Sequence, residues 1–487
     1  MPAAPILTIH PAREAHPLRL TATLVNVHLL STYDLGHQPL GLASPAAWLR
    51  DAGAQVTCND LSLDNLDEDA VRNADLIATY LPMHTATRLA IAALPKIKSL
   101  NPGAHLCFFG LYAPLNADYL KSLGGGSFIG GEFESELVDL YQKLQNDKQF
   151  AKNTVINLEK QKFKTPDRTG LPALDRYAYL DPGDGSKQIV GYTEASRGCK
   201  HVCRHCPVVP IYNGQFRIVQ MDVVMADVAR QIDAGAQHIS FGDPDFFNGP
   251  KHGIGIVKAL HNRFPEVTYD VTIKVEHLLN QAEYLNDLAA TGCLFVTTAV
   301  ETTEDEILRL LDKGHDHQDL IKAVRLTRRA GLTIAPTFVP FTPWTTLQGF
   351  RDLLKTVAEL GLVENVAPIQ LAIRLLLPLG SPLLQLPEMA KYIGEFDQQA
   401  LSYSWKNLDP RVEKLCLMVQ KIVEEGAKND QPRASTFVDI WQAAHTIDSS
   451  RIGILPVTSD LSGGAMPSMS EPWFCCAEPT SEQLSRL

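Results

Sequence analysis

Strand-length apolar runs alternate with amphipathic helical runs twice along this 487-residue chain, and an aperiodic stretch separates the two series. Such alternation is the pattern of parallel sheets, because joining parallel strands takes a crossover long enough to hold a helix. In residues 20–140 the strands read as "LTATLVNVHLL", "AQVTCND", "ADLIATYL" and "AHLCFFG", and "SPAAWLRDAG" is a helix ended by Gly53. "GGGSFIGGEFESELVDL" reads as a flexible turn and then a helix, with Gly124 to Gly131 either shaping that turn or seating a ligand. This predicts a doubly wound, Rossmann-like parallel sheet over 18–145. No GxGxxG follows its first strand, so the nicotinamide fingerprint is missing. Residues 146–185, rich in Pro, Gly, Asp and Lys, read as a linker. From "QIVGYTEASRGC" a second series runs over 186–385, with strands at "QHISFGD", "TYDVTIKV", "LFVTTAVET", "LTIAPTFVPF" and "PIQLAIRLLLP". Six strand–helix units predict a partial (β/α)6 barrel of the TIM type. Residues 386–487 read as a helical region with a Gly/Ser/Pro-rich tail.

Composition narrows the function. The formal charge of −11 argues against a nucleic-acid partner, which would call for a basic surplus. No run reaches about eighteen apolar residues, and the first twenty residues lack the apolar core of a signal peptide, so a cytoplasmic protein without a membrane partner is expected. Nine cysteines in that compartment point to metal binding or catalysis rather than to a disulfide framework.

"CKHVCRHC" places Cys199, Cys203 and Cys206 in a C-x3-C-x2-C spacing just after the first strand of the second series. Three thiolates on one loop can ligate three irons of a [4Fe–4S] cube and leave the fourth iron open. A zinc site would need a fourth ligand, for which His201 or His205 is at hand. With this spacing on a βα barrel, the chain resembles the radical S-adenosylmethionine (SAM) superfamily over residues 185–385. The resemblance implies a cluster whose open iron chelates SAM, and an external one-electron donor of the flavodoxin or ferredoxin type. It also implies site residues: His205 near the adenine, Asp243 and Asp245 of "FGDPDF" toward the SAM amino group, and Glu301 of "TTAVET" on the ribose hydroxyls. Arg374, a lone charge in an apolar run, is a candidate for the SAM carboxylate or for a structural ion pair, and Lys274 and Glu276 would share one face of the third strand.

The N-terminal series resembles the cobalamin-binding domains found ahead of many radical SAM enzymes, notably through "HQPLGLASPAAWLRDAGAQVTCND". Cobalamin is therefore a candidate cofactor, although Asp34 and His37 depart from the spacing of the cobalt-ligating motif. The chain closes on "EPWFCCAEP", in which Cys475 and Cys476 could hold one soft ion or metalloid. That ending resembles the CUAEP/CCAEP-tail radical SAM proteins, and is reminiscent of radical SAM enzymes that build organoarsenicals of the arsinothricin type. The expected function is reductive cleavage of SAM and modification of a small-molecule or metalloid substrate held by the terminal thiols, in one form as transfer of the 3-amino-3-carboxypropyl group to trivalent arsenic. The alternatives are a cobalamin-dependent radical SAM methyltransferase and a non-catalytic iron–sulfur or metalloid sensor.

Overall fold

The computed structural model describes residues 25–146, 153–448, 466–471 and 478–485. The catalytic candidates Cys475 and Cys476 lie outside the described residues. The N-terminal sheet has six strands rather than four: β1 (Asn26–Ser31), β2 (Gln55–Asp60), β3 (Leu76–Tyr80), β4 (His105–Phe109), β5 (Ser127–Gly131) and β6 (Asn153–Asn157). All pair in parallel, in the order β2-β1-β3-β4-β5-β6. β5 occupies the glycine-rich stretch expected as a turn, and β6 lies in the expected linker. Gly131 ends β5 at a φ of +74°, where a Cβ would overlap the Asn157 carbonyl of β6. Glycine is thus needed for strand-end geometry, and its lack of apolar signal hid the strand.

Helices cover both faces. Leu42, Ala46 and Leu49 of Leu40–Asp51 pack with Leu137 and Leu140 of Phe133–Asn146 on one side; Ala90, Leu94 and Ile97 of His84–Leu100 cover the other. The order of strands reverses around β1, so the carboxyl ends of β1 and β3 flank the crevice where such sheets take ligands.

The second unit begins with β7 (Tyr179–Asp181) and β8 (Gln188–Thr193), followed by a small hairpin of β9 (Ser196–Gly198) and β10 (Phe216–Ile218). Next come β11 (His238–Phe241), β12 (Thr268–Thr272), β13 (Cys293–Glu301) and β14 (Thr333–Phe338), then the hairpin β15 (Ile393–Asp397) and β16 (Ser402–Trp405), and finally β17 (Ser468–Met469). Strands β8, β11, β12, β13 and β14 form the parallel half-barrel, and β7 and β17 extend its first edge antiparallel. The sixth strand expected at "PIQLAIRLLLP" is a 3-10 turn, Pro368–Leu371, with one bridge from Arg374 to Phe341. Pro368 offers no N–H, and the Gln370 side chain accepts the Phe338 N–H at 3.3 Å in place of a neighbouring strand. Lys274 and Glu276 also lie off the strand: β12 stops at Thr272, and the helix Val275–Asn280 follows.

Residues 166–178 lace the two units together. Asp167 N–H donates to the Ala43 carbonyl, the Arg168 guanidinium spans Gln38 and buried Asp227, and Tyr177 OH reaches Asp60. No helix among the described residues is long and apolar enough to cross a membrane.

Candidate active site between the cluster loop and the N-terminal sheet

The carboxyl ends of β8, β11, β12 and β13 face those of β1, β3 and β5 across one cavity of about 360 Å³. That is the size range of small-molecule sites. Cys199, Cys203 and Cys206 all line it, none in a disulfide, and a Cys206 N–H to Cys203 carbonyl bond of 3.1 Å turns the loop. Burial pushes the Cys199 thiol up to about 11, so it stays protonated until a cation takes it. Three soft donors on one loop fit three irons of a cube. Zinc fits less well, because the two histidines that could complete its set are occupied.

His205 donates its ring Nε2 toward Glu301 Oε1 at 3.1 Å, and the buried Lys313 ammonium meets the same oxygen at 3.0 Å. Glu301 sits where the β13–β14 register slips, at a φ of +71°, an uncommon conformation for a non-glycine residue that turns this carboxylate into the cavity. Burial alone would raise its pKa, but Lys313 and His205 hold it far below the usual carboxylate range. Lys313 is itself held up by Glu301, Cys203 and Cys206 against the cost of its burial, so its charge serves both the carboxylate and the cluster loop.

His201 belongs to a second chain of contacts. Burial and then Lys274 push it down to about 4, so it is neutral at pH 7. Lys274 Nζ donates to Nδ1 at 3.1 Å, which leaves the His201 proton on Nε2, directed at His277 Nε2 at 3.2 Å. His277 then carries its proton on Nδ1, 2.7 Å from Asp245 Oδ2, although not aligned for a straight hydrogen bond. His201, Asp245 and His277 lie close enough to hold a metal ion, but the protons accounted for in this way and the Lys274 cation oppose one. The chain ties the residue between two of the cysteines to the ends of β11 and β12.

The structure therefore brings His205, Asp243, Asp245 and Glu301 to the cysteines, each with defined partners. Asp243 accepts from Ala195 N–H at 2.8 Å and Ser196 OH at 2.6 Å; burial pushes it up to about 7 against these bonds. Asp245 caps the short turn Phe246–Asn248 through the Phe247 N–H. Arg374 is not brought in: its guanidinium pairs with Glu413 at 3.0 Å and lies 3.5 Å from the Trp405 ring centroid. Sequence reasoning missed Lys313 and Arg197. Lys313 follows a helix whose length, not whose motif, returns it to Glu301. Arg197 in "EASRGC" pairs with Glu194 at 2.8 Å and with Glu134 of the N-terminal unit at 2.6 Å, between the rings of Phe133 and Phe163.

The N-terminal wall differs in kind. Tyr80, Phe109 and Phe133 form an aromatic cluster at the strand ends, and the Tyr80 ring fills the space that a side chain at Gly41 would need. Asp34 is buried with Asp60 and Glu194 nearby, and burial first, then these two acids, hold its pKa well above the usual range. The His37 ring stacks on Tyr192 of β8, 4.5 Å between centroids, and burial pushes it down to about 4. No side-chain hydrogen bond joins Asp34 to His37 among the described residues, so this histidine is not arranged as an oriented cobalt ligand. Tail residues reach the rim. Glu471 bonds Tyr33 OH, while Glu478 meets His84 at 3.1 Å and Arg88 at 2.5 Å, beside the cavity-lining Asp34 and Met83.

Residues 193–357 match the family model described as the radical SAM superfamily. The chain is 22% identical over 209 residues, 42% of its length and 38% of the other's, to a hopanoid C-2 methylase of Rhodopseudomonas palustris (strain TIE-1). Among solved structures it resembles the cobalamin-dependent S-adenosylmethionine radical enzyme OxsB with aqua-cobalamin bound, at a TM-score of 0.64 and 16% identity over 83% of this chain and 67% of that one. It also resembles the radical SAM methyltransferase TsrM from Kitasatospora setae with cobalamin and a [4Fe-4S] cluster bound, at 0.54 and 16% over 69% of this chain and 70% of that one. The chain spans between 38% and 56% of the length of the curated relatives it matches.

Proposed function

We propose that this chain is a radical SAM enzyme with a B12-binding-like N-terminal domain, and that it transfers a fragment of SAM to a small acceptor held between the two domains. The observation that carries this is one shared cavity, with the three cysteines on one wall and the β1, β3 and β5 ends of the N-terminal sheet on the other. A reduced [4Fe–4S] cluster on Cys199, Cys203 and Cys206 supplies, when bound, the one electron that breaks a carbon–sulfur bond of SAM. The surrounding residues position SAM. Both partners of Glu301 meet Oε1, which leaves Oε2 to accept ribose hydroxyls. Asp243 fixes Ala195 and Ser196, and so the strand entry to the cluster loop. The Lys313 ammonium, buried among Glu301 and the thiols, favours the carboxylate end of SAM.

In its specific form the acceptor is trivalent arsenic held by Cys475 and Cys476, and the transferred group is 3-amino-3-carboxypropyl. What supports it is the tail resemblance and the anchoring of Glu471 and Glu478, the nearest described residues on either side of the pair, to the cavity rim. Anaerobic incubation with SAM and dithionite, with and without arsenite, tests it by mass spectrometry. Arsenite-dependent 5′-methylthioadenosine with a new carbon–arsenic product is expected; cleavage of SAM that ignores arsenite removes this form.

The fold shared with OxsB and TsrM favours a second reading, cobalamin-dependent methyl transfer. Any cobalamin would be held without His37, whose ring is stacked on Tyr192. S-adenosylhomocysteine together with 5′-deoxyadenosine, and a visible spectrum retained after aquacobalamin is added and excess removed, mark that reading.

A further inference from the structure

We infer that the face around the β9–β10 hairpin is the docking surface for an acidic one-electron donor protein, an inference that rests on the radical SAM reading above. The cluster loop surfaces there at Lys200 and Val202, between ligands Cys199 and Cys203. Few large apolar residues are exposed among the described residues, and three of them gather on this face: Val202 (46% exposed), Ile218 (42%) and Met221 (39%). Val202 packs beside the hairpin turn, and Ile218 and Met221 lie where the hairpin leads into the next helix. A side chain at Gly214 would touch Val202, one at Gly249 would touch Ile218, and one at Gly255 would touch Met221. A cluster that must accept an electron from outside needs a surface close to its ligands, and exposed apolar groups at that point mark an interaction site.

Charge identifies the occupant. Residues 158–163 run against 217–220, through Arg217 to the Leu158 carbonyl and Gln220 to both the Gln161 carbonyl and the Phe163 N–H. Lys160 and Lys162 are thereby added to Lys200, Arg217 and Lys251; the same segments carry Glu159 and Asp222, and Glu276, 3.7 Å from His201, is tied to Lys274 at 3.1 Å. On a chain of net charge −11 this is a local reversal of sign. A basic rim around an apolar centre, over the cluster loop, complements a small acidic electron carrier and steers it by its field. A neutral or basic donor would gain nothing from the rim.

The test is anaerobic stopped-flow bleaching of the reconstituted full-length protein, with flavodoxin hydroquinone as donor and with photoreduced 5-deazaflavin as a small-molecule control. Lys160→Glu/Lys251→Glu should lower the flavodoxin rate constant about tenfold and abolish its decline with salt, while iron content and the deazaflavin rate stay at wild type. Ile218→Ser should lower the flavodoxin rate a few-fold at unchanged salt dependence. An unchanged flavodoxin rate in the double variant, or an equal loss with deazaflavin, overturns the docking surface. A wild-type protein that takes up no iron overturns instead the radical SAM reading, and the docking surface with it.

Discussion

Two buried carboxylates line the same cavity from opposite walls, and their environments drive them in opposite directions. Glu301, on the barrel, meets Lys313 and His205 and stays ionised to very low pH. Asp34, on the N-terminal sheet, has two acids for neighbours and is held well above the usual range. Both are almost fully buried, so burial alone does not separate them; the presence of a cation does. The barrel wall is an ordered set of charges, suited to a zwitterionic cosubstrate beside thiolates. The facing wall, aromatic and with an acid whose ionisation burial and neighbouring carboxylates disfavour, suits an acceptor that brings little charge of its own.

The largest break in this contrast comes from Cys199→Ala/Cys203→Ala/Cys206→Ala. Iron and sulfide analysis should find no cluster, and all SAM cleavage should cease, because each thiol supplies one iron bond. Iron retained near four per chain would show that the loop is not the ligand set. Next in size is Cys475→Ser/Cys476→Ser, which on the proposed arsenic reading concerns the acceptor side alone. Hydroxyls are poor ligands for soft centres, so transfer should be lost while cluster content and SAM cleavage persist. Wild-type transfer by this variant would detach the tail from the chemistry.

Lys313→Met would make the two walls alike. It strips Glu301 of its main cation, and leaving one member of a buried pair uncompensated costs about 3–5 kcal/mol. A fall of that order in unfolding free energy is expected, together with at least tenfold weaker SAM binding by calorimetry. The added pH dependence has a definite sign. In wild type the contribution of Glu301 is present above its unfolded value and lost only in strong acid. In the variant its pKa moves up with burial, so stability should now fall as pH rises. Unchanged SAM affinity would confine Lys313 to a structural role.

The sequence carried the cysteine loop because ligand spacing is local, and carried Glu301 because it ends a strongly β-patterned strand. Strands β5 and β6 were not legible, since glycine and polar residues give no apolar alternation. Arg374 left a SAM contact and a structural ion pair both open for want of a visible partner; Glu413, from a helix 39 residues away, makes the ion pair. The same holds for Lys313 and Arg197. A buried charge is paired by tertiary approach, and one chain without its fold shows the charge but not the mate. The half-barrel closed with one strand fewer than expected because "PIQLAIRLLLP" has the apolar content of a strand and a proline where its ladder would begin.

The smallest effect belongs to Asp34, where the contrast can be sharpened rather than broken. As an acid with a raised folded-state pKa, Asp34 adds stability that is fully present below the ordinary carboxylate range and is lost as pH rises through its folded value. Asp34→Asn mimics the protonated form and cannot ionise. Its unfolding free energy should match wild type below the ordinary carboxylate range, then exceed it as pH is raised, by an amount on the order of 1 kcal/mol, with little change in SAM affinity. Melting curves of both proteins across that range give the answer directly. Parallel pH profiles would mean that Asp34 ionises freely in the folded protein, and that a cation not supplied by the neighbouring side chains is held at the N-terminal wall.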